Sequence, residues 1–265
     1  MTAARQPDTA PLLRHDGGGV ATLTLNRPAA RNALSRALMT ALQAALENIA
    51  QDRAVRVVVI AAAGPGFCAG HDLKEIRSDP RRDTYEALFV QCSRLMQSIV
   101  HLPQPVIARV HGIATAAGCQ LAASCDLAIA GAAAKFATPG VNIGLFCSTP
   151  MVALSRSVAP KHAMEMLLTG DLIDAATAAR IGLVNRVVAD AELDGAVAAL
   201  AGQIASKSTA TVKIGKEAFY RQREMPLGEA YDYAARVMIE NMMKRDAAEG
   251  IDAFLAKRPP EWKDQ

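Results

Sequence analysis

Ala114–Asp126, ATAAGCQLAASCD, is a Gly/Ala-rich turn that interrupts one apolar run and leads straight into another. The run before it, PVIARVHG (Pro105–Gly112), has the character of a buried strand, and small residues follow where the backbone must bend into a helix. A strand feeding a helix N-terminus aims unpaired N–H groups at one point in space, which suits an oxyanion or a phosphate. The rest of the chain is read outward from this turn.

Toward the N-terminus a second turn of the same kind, AAGPGFCAGHDLKEI (Ala62–Ile76), follows the β-branched run VRVVVIA (Val55–Ala61). Gly64, Gly66 and Gly70 permit tight turns there, and Asp72 can cap the helix that follows. Before it, Val20–Asn26 (VATLTLN) alternates like a half-buried strand, and Ser35 is placed to cap a helix to about Asp52 with Leu38, Leu42, Leu46 and Ile49 on one face. Strand, helix, strand is the pattern of a parallel βαβ crossover. Adjacent parallel strands bring their carboxyl ends together, so one N–H from each glycine turn can reach the same carbonyl oxygen. Spacing alone also allows the plainer reading, in which the glycines only make turns.

Residues 1–11 read as a loose tail, Arg77–Asp83 (RSDPRRD) as a mobile surface loop, and Thr84–Leu102 as an amphipathic helix ended at Pro103–Pro105. After Asp126 come a short strand, LAIAG, and an irregular wall over Ala132–Pro150. Helices follow over Met151–Val158, His162–Leu168 and Asp174–Ile181, the last ended by Gly182 before the strand LVNRVV. From Asp190 the pattern is helical, with a break near Pro226–Leu227. The fold class is α/β, with a core over residues 12–200 and a C-terminal helical region over 201–265, and projecting helices of this kind suit packing against other subunits.

Bulk composition narrows the function classes. The chain of 265 residues is 51% hydrophobic with a net charge of +3 and no Lys/Arg block, so neither disorder nor nucleic-acid binding is indicated. No run approaches the roughly 18 apolar residues of a membrane span, and the start MTAARQPDTAP carries no apolar signal core. Five cysteines, an odd number without a CxxC pair, suit free thiols in a reducing compartment. The expected setting is cytoplasmic, or mitochondrial if the source is eukaryotic, without a membrane partner.

GPGFCAGHDLKEI, HGIATAAGCQLAASCDLAIA, ATPGVNIGL, MEMLLTGDLIDAATAARIGLVNRVV and EGIDAFLAKRPPEW together resemble the enoyl-CoA hydratase/isomerase, or crotonase, family across nearly the whole chain. The resemblance implies a crotonase-like (ClpP/crotonase) ββα spiral with a C-terminal helical region, assembled as a homotrimer or homohexamer and binding acyl-CoA thioesters in lipid metabolism. Coenzyme A enters as part of the substrate, and no metal or separate cofactor is implied. The family's oxyanion hole maps onto the main-chain N–H groups of His71 and Ala117. Ala69, His71, Asp72, Leu73 and Lys74 would line the adenine and pantetheine, Arg27, Arg31 or Lys74 would meet phosphates, and Asn142 would lie on the wall facing the acyl group with Cys147, Ser148 and Thr149.

The departures concern the reaction. Hydratases of the family hold a water between two glutamates, and those positions are Gln120 and Gly140 in this chain. An amide can orient a water but cannot take and return a proton near neutral pH, and glycine offers no side chain. Each lost acid–base group costs about 10²–10⁴-fold, so ordinary two-glutamate hydration is disfavoured. Among possible substitutes, the His71 imidazole titrates in a useful range, but its side chain could equally sit in a structural pocket. Cys119 reads as a packing thiol, Asp72 as a helix cap and Glu75 as a solvated first-turn residue. Ser124–Cys125–Asp126 lacks the G-x-S-x-G elbow of a hydrolase. Two functions stand: a family enzyme working through an enolate-type state with Gln120 as a positioning group, or a non-catalytic acyl-CoA binder that modulates lipid metabolism.

Overall fold

The computed structural model describes residues 10–265; residues 1–9, most of the expected loose tail, lie outside it. The chain opens on an antiparallel hairpin, β1 (Leu12–Gly17) with β2 (Val20–Leu25), closed by Gly18 and Gly19, both at positive φ. Two consecutive left-handed residues make the tight turn whose twist matches paired strands, so the GGG run marks a strand that its half-exposed pattern alone conceals.

Ser35 accepts the Leu38 N–H and starts α1 (Arg36–Gln51), which buries Leu38, Met39, Leu42, Leu46 and Ile49. The next strand, β3 (Val57–Ala62), is buried at every residue. Val58, Ile60 and Ala62 face the main core beneath α1 and α3 (Arg82–His101), whereas Val57 and Val59 face α8 (Leu193–Ala205) through Leu193, Val197 and Ala201. Burial on both faces is why this run is continuously apolar instead of alternating.

The sheet order is β1-β2-β3-β4-β6-β9, adding β4 (Val106–Val110), β6 (Leu127–Gly131) and β9 (Arg186–Val188), parallel from β2 onward. A smaller sheet stands beside it: β5 (Ile113–Thr115), β7 (Lys135–Ala137) and β8 (Ile173–Asp174). Gly112, at φ 63, separates β4 from β5, so the apolar run splits into two strands before α4 (Ala117–Ser124). The same strand-pair step recurs in β6 and β7, followed by the 3₁₀ turn Pro139–Ile143 and α5 (Ser148–Ser157). This is the ββα spiral of the crotonase fold. The wall read as irregular over Ala132–Pro150 thus contains β7, a strand too short for its periodicity to register.

The loop expected over Arg77–Asp83 narrows to Asp79–Arg81, because α2 (Leu73–Ser78) and α3 close in from either side and Asp79 accepts from Arg81 and Thr84. Two further helices, α6 (Pro160–Thr169) and α7 (Ala175–Arg180, capped by Asp174), complete the spiral. Helix α8 crosses the boundary expected at residue 200 and covers the sheet through Ala201 and Ala205, so the core runs to the end of that helix.

Beyond it, α9 (Thr209–Gln222), α10 (Leu227–Met242) and α11 (Arg245–Leu255) form the C-terminal region. Neither α9 nor α10 has a fully buried residue. Polar clamps tie the region down. Lys216 donates to the Ile99 and Gln104 carbonyls and to Asp126, which also accepts from Tyr220 Oη and from the Val106 N–H. Buried Asp246 accepts from Ser208 Oγ and from the Lys263 and Asp264 N–H groups.

Candidate functional site

The two glycine turns lie against each other. Cys68 donates to the Ile113 carbonyl (3.0 Å) and accepts from the Thr115 N–H (2.9 Å), pairing the first turn with β5. Gly118 makes the approach possible, since a Cβ there would overlap the Cys68 carbonyl oxygen. Gly70, at φ +96, faces Thr115–Ala117, and a Cβ on it would lie 3.0 Å from the Ala116 Cβ and 3.5 Å from the Ala117 nitrogen.

Ala116 itself takes φ 49, ψ −118, a conformation that glycine adopts far more readily, while its N–H is held by the Ala137 carbonyl (2.9 Å). Such a residue costs on the order of 1–3 kcal/mol and persists only where its surroundings over-determine it. Here it swings the chain from β5 directly into α4. The N–H groups of Cys68, Ala69 and Asp72 are bonded to Ile113, Arg31 and Leu34, whereas those of His71 and Ala117 are engaged by no acceptor among the described residues. Two unengaged main-chain donors on abutting turns can hold a developing negative charge on one oxygen.

The turn carrying His71 is braced by a residue that the sequence pattern does not single out. Asn32, fully buried and at φ 55, accepts the Arg27 N–H and donates to the Ala63 and Gly66 carbonyls, each at 2.8 Å. Asparagine tolerates the left-handed region and carries both a donor and an acceptor, which is the signal that could have found it.

The His71 ring meets Phe89 of α3 edge-on at 5.6 Å, and its Nε2 is buried without a partner. Burial pushes its pKa down from 6.5 to about 4, so the imidazole is neutral at physiological pH. Asp72 accepts from the Lys74 and Glu75 N–H groups and from Arg27 (2.8 Å), and the Arg27 guanidinium holds its carboxyl below the usual range. Arg27 also donates to the Ala33 carbonyl. Asp72 and Arg27 are therefore engaged with each other rather than directed at a ligand. Glu75, read as solvated, instead accepts the Arg36 N–H at the start of α1 (3.0 Å). Leu73 and Lys74 are exposed on α2.

Arg31, Ala69, Thr115 and Asn142 line a recess of about 400 Å³ together with Asp171. Ala69 and Thr115 each stand two residues along the chain from one of the unengaged N–H groups.

Gln120 and Gly140, the positions where the family resemblance implies glutamates, differ in kind. Gln120 sits one turn into α4, buried, with Oε1 unpartnered and its backbone satisfied by Ala116 and by Ser124 Oγ. Gly140 is not an open vacancy. A Cβ there would lie 2.5 Å from the Leu145 carbonyl oxygen and 2.9 Å from Cys147 Sγ, and Leu145 donates back to the Gly140 carbonyl (2.9 Å). The chain after Gly140 folds into the space where a side chain would begin. Burial pushes the Cys119 thiol up to about 12 and also raises Cys147, so neither supplies a thiolate near neutral pH.

The family model "Enoyl-CoA hydratase/isomerase" matches residues 15–265. The chain is 46% identical over 261 residues to human enoyl-CoA hydratase domain-containing protein 3, mitochondrial, covering 98% of this chain and 83% of that one. It is 39% identical to a probable enoyl-CoA hydratase of Rhizobium meliloti, covering 95% and 97%. Among solved structures, an enoyl-CoA hydratase of Mycobacterium smegmatis superposes with TM-score 0.94 at 56% identity, covering 95% of this chain and 98% of that one. The human domain-containing protein 3 superposes with TM-score 0.93 at 46% identity, covering 95% and 100%. On sequence and fold alike, this chain belongs to the enoyl-CoA hydratase/isomerase family.

Proposed function

We propose that the protein binds an acyl-CoA thioester with its carbonyl oxygen between the N–H groups of His71 and Ala117, and acts on it through an enolate-type state in lipid metabolism. The observation that carries this is the pair of unengaged donors on two abutting turns. Being main chain, they do not depend on which side chains stand at those positions, and a single donor of this kind is worth about 2.7–4 kcal/mol to an oxyanion. Coenzyme A would run along Ala69–Lys74, its pantetheine entering past the recess at Arg31 and Asn142, with Arg31 and Lys74 available to phosphates. Arg27 is withdrawn from that role because Asp72 and the Ala33 carbonyl occupy it.

Gln120 would position the acyl group or a water through its unpartnered Oε1 without transferring a proton. Residue 140 supplies no carboxylate, and the Leu145 carbonyl oxygen and Cys147 sulfur stand where its side chain would begin. Assay with crotonyl-CoA tests this directly. Wild-type turnover should fall far below the roughly 10 s⁻¹ of a typical enzyme, and Gln120→Glu should raise it about tenfold, less than a full acid–base group because its partner stays absent. Wild-type hydration at an ordinary enzyme's rate would overturn the reading of Gln120.

The filled space at Gly140 also favours a second reading, an acyl-CoA binder without turnover, which predicts thioester affinity with no reaction for any acyl chain. Assembly as a homotrimer or homohexamer is supported by apolar side chains that the C-terminal helices leave outward, including Tyr231 (71% exposed), Met243 (82%) and Phe254 (82%). Five buried, free cysteines support a reducing setting, with the cytoplasm as the expected one.

A further inference from the structure

The loop Arg27–Leu34 runs along the turn that carries His71 and is bonded to it repeatedly. The Arg31 carbonyl accepts the Ala69 N–H (3.0 Å), Leu34 donates to the Gly70 carbonyl (2.7 Å), and the Leu34 carbonyl accepts the Asp72 N–H (3.2 Å). Leu34 and His71 thus form a parallel bridge, in which Leu34 pairs with the residues on either side of His71. In such a ladder the intervening residue turns its own N–H to the opposite side. The turn lies between this loop and β5, to which Cys68 is bonded, so the opposite side is the one that faces Thr115–Ala117. Where Leu34 lies therefore decides where the His71 donor points.

Local preference does not hold Leu34 in place. Arg31 and Asn32 take φ 48 and φ 55, two consecutive left-handed residues that both carry side chains. Such conformations persist only where the surroundings over-determine them. The Asn32 amide secures one end of the turn through the Ala63 and Gly66 carbonyls. Arg27 secures the other. Its guanidinium forks, one arm reaching the Ala33 carbonyl next to Leu34 (2.6 Å) and the other reaching Asp72 next to His71 (2.8 Å). Asp72 divides its two oxygens accordingly: Oδ1 accepts the Lys74 and Glu75 N–H groups as the cap of α2, and Oδ2 accepts from Arg27.

On the carbonyl placement proposed above, we infer that Arg27 and Asp72 are positioning residues for the oxyanion hole: their fork fixes the spacing of Leu34 and His71 and so aims the His71 N–H at the thioester carbonyl. Neither side chain touches the substrate in this role. The geometry demands these two residue types. A lysine at 27 is a point charge that cannot reproduce the planar fork to two acceptors. An asparagine at 72 can keep the cap through its oxygen, but it then turns a donor group toward the Arg27 guanidinium. Part-exposed ion pairs contribute little to stability, so the effect of this one belongs to the ligand rather than to folding.

The test compares the full wild-type chain with Asp72→Asn, which keeps the cap and breaks the fork, with Asp72→Glu, which keeps a carboxylate for Arg27 at the expense of the cap, and with Arg27→Lys. Each is titrated calorimetrically with free CoA and with butanoyl-CoA. Infrared difference spectra then record the stretch of an isotope-labelled thioester carbonyl, which moves to lower frequency as hydrogen bonds to it strengthen. Asp72→Asn and Arg27→Lys should lose about half of the wild-type carbonyl shift, one of two donors being misaimed. Both should weaken butanoyl-CoA about fivefold, the worth of one hydrogen bond, and leave free CoA within about twofold. Asp72→Glu should stay closer to wild type in both measurements. A role in helix capping alone predicts the reverse order, with asparagine harmless and glutamate damaging. That order, or an equal loss of free CoA and butanoyl-CoA, would overturn the positioning role and leave the carbonyl site standing. Absence of any carbonyl shift in wild type would instead refute the carbonyl site. Should Asp72→Asn fail to fold, the carbonyl shift of Arg27→Lys against wild type decides the question.

Discussion

Gly118 and Gly140 use the same device with opposite consequences. At each, the absence of a Cβ lets a second stretch of backbone come closer than any other residue would allow: the Cys68 carbonyl at Gly118, the Leu145 carbonyl at Gly140. At Gly118 the approach locks two turns together and leaves the N–H groups of His71 and Ala117 unengaged. At Gly140 it lets the chain fill the space in which a side chain would begin. One glycine thus underlies the proposed binding half of the site, while the other leaves residue 140 without a side chain for the proposed reactive half.

The first prediction presses on the donor side and should give the largest effect. In Gly118→Ala the new methyl meets backbone that is itself tied by two hydrogen bonds to β5, so neither partner can yield cheaply. Overpacking of this kind costs about 3 kcal/mol or more, lowering the melting temperature by roughly 6–12 °C in a domain of this size. Thioester affinity should fall more than tenfold with it. A Gly118→Ala protein that melts and binds like wild type would show that the close approach does not set the donors.

Gly140→Ala should be milder. Its nearest neighbours are Leu145, at 55% exposure, and Cys147 at the start of α5, and the surface segment 143–146 can move outward. The expected cost is about 1 kcal/mol, read as a melting shift of roughly 2–4 °C, with butanoyl-CoA binding within about threefold of wild type. Equal damage from both alanines would erase the distinction between the two glycines.

How much of this the chain announces in advance follows the length scale of each signal. The Ser35-capped helix, the β-branched strand at Val57–Ala62 and the turn before α4 are legible because periodicity, capping and glycine act over a few neighbouring residues. β7 and β8, three and two residues long, are too short to show a period, and β1 is half exposed. Within the site, the substitution at residue 140 is plain in the sequence, but the filling of its space by Leu145 and Cys147 depends on the path of a later turn. Asn32 escapes for the same reason, since its amide reaches more than thirty residues along the chain.

A third variant separates the two halves of one residue. The main-chain N–H of His71 does not titrate near neutrality, whereas its imidazole is held neutral by burial, its pKa pushed down from 6.5 to about 4. Between those values the unfolded chain binds a proton at this position that the folded protein does not, so stability falls as pH drops from about 6.5 toward 4. The full shift corresponds to at most about 3 kcal/mol. His71→Gln removes the titrating ring and keeps the N–H. Its melting temperature should therefore decline less steeply than wild type across that window, and its thioester affinity near pH 7 should stay within a few-fold. Parallel melting profiles would mean that the ring gains access to solvent or to an anionic partner when it protonates. A large loss of affinity at pH 7 would mean that the imidazole, and not the backbone alone, contacts the thioester.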